Sequence, residues 1–169
     1  MSACAKDSVP EAARPSFPGV YGINDGEEGL LEWGWATERL SGARNYWVAT
    51  TGPGGNPHAM PVWGVWLDDV FYFSSSPESR KARNLDANPA TVVHLESGDE
   101  VVILEGDAEQ VTDGALLQRL GEDYSRKYEL EVSFTGGRPL FGVRTRVAYA
   151  WRERDFPATA TRFSFATGK

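Results

Sequence analysis

After residue 44 the chain is built from short runs rich in aromatic and β-branched residues, separated by clusters of turn formers, which is the pattern of strands. Three such runs follow in quick succession at about residues 45–51, 58–66 and 70–76. The first gap, Gly52-Pro53-Gly54-Gly55-Asn56-Pro57, consists of turn formers alone, and the second centres on Asp68-Asp69, so the three strands are expected to form an antiparallel meander. Two more strands are predicted at about 90–96 and 100–111, joined by Ser97-Gly98-Asp99, which has hairpin composition. Gly106 inside the second predicts a bulge or bend where a barrel turns a corner. The end of the chain gives a strand at about 140–151 and a shorter one at about 159–165, with Thr159, Thr161, Phe163 and Phe165 on one face.

Helical signals fall between these runs. In residues 27–42, EEGLLEWGWATERLSG, acidic residues come first and Arg39 late, the charge order a helix dipole favours, with Leu31, Trp35 and Leu40 on one face and Gly34 as the weak point. Ser76-Pro77-Glu78 reads as a helix start, with a serine cap, proline at the first helical position and an acid in the first turn; Asn88-Pro89 ends that short helix at about Ala87. Asp113 caps a longer helix in which Leu116, Leu120, Tyr124 and Tyr128 recur every four residues beside Leu117. Residues 1–26 show no period and read as a leader that is flexible or lies along another surface, leaving 27–169 as a single domain. The fold class is therefore mainly β: a six- to seven-stranded antiparallel barrel with a short helix after the third strand and a longer one after the fifth. A parallel α/β fold would need helices between successive strands, and the first three have none.

Composition narrows the function. A chain of 169 residues suits one domain, able to bury roughly 70% of its unfolded surface. Cys4 is the single cysteine and His58 and His94 are the only histidines, which excludes an internal disulfide and makes a metal centre an unpromising reading. No secretory leader and no apolar run long enough to span a membrane is present, so a cytoplasmic protein without a membrane partner is expected. The net charge of −7 repels polyanions and argues against nucleic acid as a partner; an oligonucleotide-binding barrel that stacks bases on its tryptophans is the reading this charge disfavours. Basic residues cluster only around Arg80, Lys81 and Arg83. Six tryptophans are the unusual entry, and large aromatics at that density fill a core, an interface or a planar-ligand site.

The segment Ser74-Ser75-Ser76-Pro77-Glu78-Ser79-Arg80-Lys81 gathers hydroxyls and two cations at a helix start, where free N–H groups and partial positive charge make an anion site. Phosphate is the natural guest; a capped helix with solvated cations is the alternative. Upstream, Pro61 cannot donate to a ladder, so its strand is there an edge or faces something other than a strand, such as a flat heterocycle. His94, alternating with Val93 and Leu95, reads as a hydrogen-bonded structural histidine, and Arg44, Arg144, Arg146 and Arg162 as surface residues.

Tyr46-Trp47-Val48-Ala49-Thr50-Thr51, Pro57-His58-Ala59-Met60-Pro61-Val62-Trp63, Val70-Phe71-Tyr72-Phe73-Ser74-Ser75, Ser79-Arg80-Lys81-Ala82-Arg83-Asn84-Leu85, Asn88-Pro89 and Leu104-Glu105-Gly106-Asp107-Ala108-Glu109 together resemble, in order and spacing, the pyridoxamine 5′-phosphate oxidase-like superfamily over about residues 40–165. The resemblance implies a split β-barrel, a homodimer, and FMN or the deazaflavin F420 held in clefts between subunits. It makes Lys81 the main phosphate ligand, with Arg80 and the hydroxyls of Ser75, Ser76 and Ser79 as helpers and Ser74 and Asn84 as further candidates. His58, Met60, Pro61, Val62 and Trp63 would lie along the ring system, chiefly through backbone groups. The Pro-Val-Trp run and the tail from Trp151 to Phe165 look like the F420-dependent branch, whose cofactor continues beyond its phosphate into an acidic lactyl-glutamyl tail; Arg80, Arg83 and Arg44 are candidates for its exit. The substrate-binding arginine and histidine of true pyridoxamine phosphate oxidases find no match. The implied activity is hydride transfer to or from an unsaturated small molecule. The alternatives are an FMN-dependent oxidase or reductase and a non-catalytic flavin- or haem-binding protein on the same barrel.

Overall fold

The computed structural model describes residues 9–135 and 137–166, and Cys4 lies outside them. In chain order the elements are β1 (Glu11–Ala13), α1 (Trp33–Gly42), β2 (Asn45–Thr51), β3 (Pro57–Leu67), β4 (Val70–Ser74), α2 (Arg80–Ala87), β5 (Ala90–His94), β6 (Glu100–Gln110), α3 (Gly114–Tyr128), β7 (Leu140–Arg152), α4 (Phe156–Thr159) and β8 (Thr161–Ser164). Every strand pair is antiparallel. The order β7-β4-β3-β2-β5-β6 closes into a six-stranded barrel when β6 pairs back onto β7, and β8 and β1 extend the sheet beyond β7.

Two strands change partners along their length, and this splits the barrel. β7 pairs with β4 through residues 140–143 and with β8 through residues 147–150, while β6 follows it throughout. The change coincides with the bulge predicted from Gly106: Glu105 faces Val147 but Gly106 faces Thr145, so β7 carries one extra residue. A side chain at Gly106 would put Cβ 2.0 Å from the Arg144 carbonyl oxygen, so only glycine fits. β3 pairs with β2 through residues 57–63 and with β4 only through residues 64–67. One edge of residues 57–63 is thus free of ladder partners among the described residues, which is where Pro61 is tolerated.

The interior is filled by alternating residues of five of the six barrel strands, with Val62 and Trp66 of β3 half-buried against them. Tyr46, Val48, Phe71, Phe73, Val93, Leu104 and Val143 are buried and pack with Trp33, Ala36 and Leu40 of α1 and with Phe163. A second cluster lies under α3, where Leu120, Tyr124 and Tyr128 cover Val65, Tyr72, Phe134 and Leu140. Burying each such large side chain stabilises by about 1.5–3 kcal/mol.

Several boundaries differ from expectation. The first helix begins at Trp33 instead of Glu27, because Gly29 is left-handed at φ 88° and so cannot lie in a right-handed helix. Its buried face is Trp33, Ala36 and Leu40; Leu31 is buried ahead of it, its N–H donating to Thr161 Oγ1 at 2.8 Å, and Trp35 is only half-buried. α2 begins at Arg80 with Ser79 as cap, not with Ser76 and Pro77: Ser79 is extended (ψ 149°) and its Oγ accepts from Ala82 N–H at 3.1 Å. Asp113 caps α3 as expected, accepting from Leu116 N–H at 2.7 Å. The four-residue α4 shortens the last strand, and β1, which the leader's composition does not announce, pairs with β8. Arg14 fastens this segment by donating to the carbonyls of Gly26, Glu28, Ala158 and Ala160.

Candidate functional site

The free edge of β3 opens onto a cavity of about 400 Å³. One wall is Pro61, Val62 and Trp63 of β3; another is Ser74, Ser75, Ser76 and Lys81, from the end of β4 into α2. The remainder comes from Tyr124 of α3 and from Leu130, Val132, Phe134 and Arg138 in the segment joining α3 to β7.

Lys81 is the electrostatic centre of this cavity. Its side chain is 8% exposed, yet no carboxylate lies within ion-pair distance of it among the described residues. Nζ donates to Ser75 Oγ at 3.2 Å, Ser75 Oγ is 2.8 Å from Ser79 Oγ, and Ser79 caps α2. Burial pushes the Lys81 ammonium below its ordinary value, the response of a cation removed from water without a counter-charge. Such a group gains most from an anion delivered to it, and the start of α2 adds partial positive charge on the same side.

Seven of the eleven residues singled out from sequence line the cavity: Pro61, Val62, Trp63, Ser74, Ser75, Ser76 and Lys81. Ser79 stands directly behind, bonded to Ser75. His58, Met60 and Arg80 are outside the lining; Met60 is 46% exposed and Arg80 is exposed on α2. His58 is held below its ordinary value by desolvation and by the positive charges of Arg80 and Lys81. Asn84 is buried and donates to Thr50 Oγ1 at 3.0 Å, anchoring α2 to β2. Arg83 and Arg44 do not line the cavity; Arg83 donates to the Glu78 carbonyl, and Arg44 lies 5.7 Å from the Trp63 ring centre. His94 is half-buried with Nδ1 2.7 Å from the Leu95 carbonyl.

Sequence reasoning missed how α3 holds β3 in place. Trp63 stacks on Tyr128 at 4.5 Å between ring centres and 10° between planes. The Tyr128 hydroxyl receives the Gly64 N–H at 2.8 Å and lies 2.8 Å from the Arg44 carbonyl. Tyr124 donates to the Trp63 carbonyl at 2.9 Å. Lys127 Nζ donates to Tyr46 Oη at 2.7 Å and to the Gly64 carbonyl at 2.9 Å, and burial pushes this ammonium down to about 8. Tyrosine in place of leucine at two core-facing helix positions was the available signal, since a buried hydroxyl needs a partner.

Residues 36–152 match the sequence model of the pyridoxamine 5′-phosphate oxidase family. No curated protein matches the chain. Among solved structures, a conserved hypothetical protein of Mycobacterium tuberculosis is 22% identical, with a TM-score of 0.67 over 84% of this chain and 95% of that one. An F420 reductase is 24% identical (TM-score 0.52, covering 66% of this chain and 94% of that one). A heme binding protein from Mycobacterium smegmatis is 19% identical (TM-score 0.53, covering 64% of this chain and 49% of that one). At these identities the likeness establishes the fold.

Proposed function

Because this chain belongs to the pyridoxamine 5′-phosphate oxidase family, we propose that it is a cytoplasmic oxidoreductase that holds the deazaflavin F420 in the cavity at the open edge of β3 and moves hydride between it and an unsaturated small molecule. The observation that carries this reading is the buried Lys81 beside Ser74, Ser75 and Ser76, with no carboxylate within ion-pair distance among the described residues. A phosphate there would supply the missing counter-charge, accept the Lys81 and serine hydrogen bonds and meet the start of α2. The residues present therefore fit the phosphate of the cofactor.

The cofactor, when bound, supplies the hydride chemistry; the chain supplies binding, orientation and exclusion of water. The free edge at residues 57–63 offers backbone groups to a flat ring system, with Pro61 and Trp63 on the cavity wall and Val62 backed by the barrel core. Tyr124 and Tyr128 fix that edge by bonding the backbone at Trp63 and Gly64. FMN is the second reading, favoured by the same grip, since both cofactors carry a phosphate on a ribityl chain.

Equilibrium titration of the cofactor-free protein with F420 and with FMN at two salt concentrations tests the proposal. Tighter binding of F420 with the steeper salt dependence is expected, and Lys81→Ala should weaken it roughly 10- to 100-fold with the unfolding midpoint little changed. Submicromolar FMN binding without measurable F420 binding would assign the cavity to FMN. Unchanged affinity in the Lys81 variant would return residues 74–81 to an ordinary helix cap.

A further inference from the structure

We infer that Arg138 is a second anion contact of this cavity, holding an acidic group of the ligand beyond its phosphate and so separating F420 from FMN; this rests on the functional reading above. Arg138 lies in the segment between α3 and β7, and that segment is fastened to the phosphate grip. The carbonyl of Pro139, the next residue, accepts from Ser74 Oγ at 3.0 Å and from the Ser75 N–H at 3.4 Å. Arg138 is thereby held beside the serines and shares one cavity with Lys81.

The two cations differ in depth. Lys81 is buried on the grip side, whereas Arg138 is exposed. Among the described residues Arg138 makes no hydrogen bond and no ion pair, while Arg39, Arg119, Arg126, Arg144, Arg146 and Arg152 are each paired with a carboxylate. Its neighbours in the lining, Leu130, Val132 and Phe134, are apolar, and the exposed Glu131 of the same segment borders the adjoining concavity and not this cavity, so the guanidinium is the charged group that lines the cavity on that side. A ligand whose anionic end stops at Lys81 does not need it. FMN ends at its phosphate; F420 continues through a phosphodiester into carboxylates, which a planar guanidinium can take with two parallel hydrogen bonds. In a chain of net charge −7, a free cation at this position also lowers the local barrier to a polyacidic tail.

The test uses the full chain, wild type, Arg138→Gln, Arg138→Lys and Lys81→Ala, titrated with F420 and with FMN at two salt concentrations. Arg138→Gln should weaken F420 roughly 10-fold, leave FMN within about 2-fold and make the F420 salt dependence shallower, and Arg138→Lys should restore part of the loss. Because the side chain is exposed, the unfolding midpoint of each Arg138 variant should match wild type. Equal weakening of both cofactors, or no weakening of F420, overturns the inference. If Lys81→Ala loses both cofactors and Arg138→Gln neither, this inference fails alone; if wild type binds neither, the functional reading fails with it.

Discussion

Two lysines withdrawn from water, the buried Lys81 and the half-buried Lys127, define what single residues contribute here, and they resolve their desolvation differently. Lys81 has one serine hydroxyl as its partner among the described residues, which leaves hydrogen-bonding capacity for the phosphate proposed above. Lys127 is satisfied within the protein by Tyr46 and the Gly64 carbonyl, but still without a carboxylate among the described residues. Its folded value, pushed from 10.5 down to about 8 by burial, lies below its unfolded value, so the unfolded chain binds the extra proton across that window. Stability should therefore rise with pH from about 8 upward, and the cost of the buried charge should be fully present at lower pH. Buried tyrosines act in the opposite sense: Tyr46 and Tyr124 are raised, chiefly by burial, above the ordinary 10.0, so they withdraw stability as pH climbs through about 10. Comparing urea midpoints of wild type and Lys127→Met at about pH 7 and about pH 9 isolates the lysine. Wild type should gain on the variant between the two; parallel midpoints would mean that the ammonium is better solvated than its position implies.

At the scale of elements, strand positions were legible because each run is bounded by turn chemistry, and β2 falls on the expected residues 45–51. Gly106 announced its bulge, since glycine inside a long strand has few other reasons to be there. Helix starts were less legible. Glu27 and Ser76 both offer good local chemistry, but a left-handed Gly29 and an extended Ser79 decide where α1 and α2 begin, and neither is visible in a pattern of side chains. The cavity was half legible for the same reason. Its serine and lysine wall is a contiguous motif, whereas Tyr124, Phe134 and Arg138 arrive through tertiary packing. The bulge offers a direct test of this scale. Gly106→Ala would drive Cβ against the backbone of Arg144, which cannot swing aside as a side chain can, and should destabilise by about 1–3 kcal/mol or more. A urea midpoint within error of wild type would show that the bulge relocates freely.

At the scale of the molecule, the outer face of the barrel carries a row that solvent alone does not explain. Cross-strand register places Trp47 beside His94, His94 beside Ile103, Ile103 beside Tyr149 and Tyr149 beside Arg162, with Trp151 two residues along β7 from Tyr149. All are half-buried, and Trp47 stacks parallel to His94 at 6.4 Å between ring centres. A concavity of about 410 Å³ bordered by Phe17, Ile103, Tyr149 and Trp151 lies on this face. Aromatic residues at this density suit the core of a subunit interface. We propose that two copies pair through this face as a homodimer. A two-fold interface sets each patch against its own counterpart, so a charge introduced near the axis meets the same charge from the partner. Light scattering at micromolar concentration should give the mass of a dimer for wild type, and Ile103→Arg, which leaves the barrel interior untouched, should shift it to monomer while the unfolding transition remains cooperative. A wild-type monomer that binds cofactor at that concentration would remove the two-subunit assembly and leave the Lys81 cavity complete within one chain.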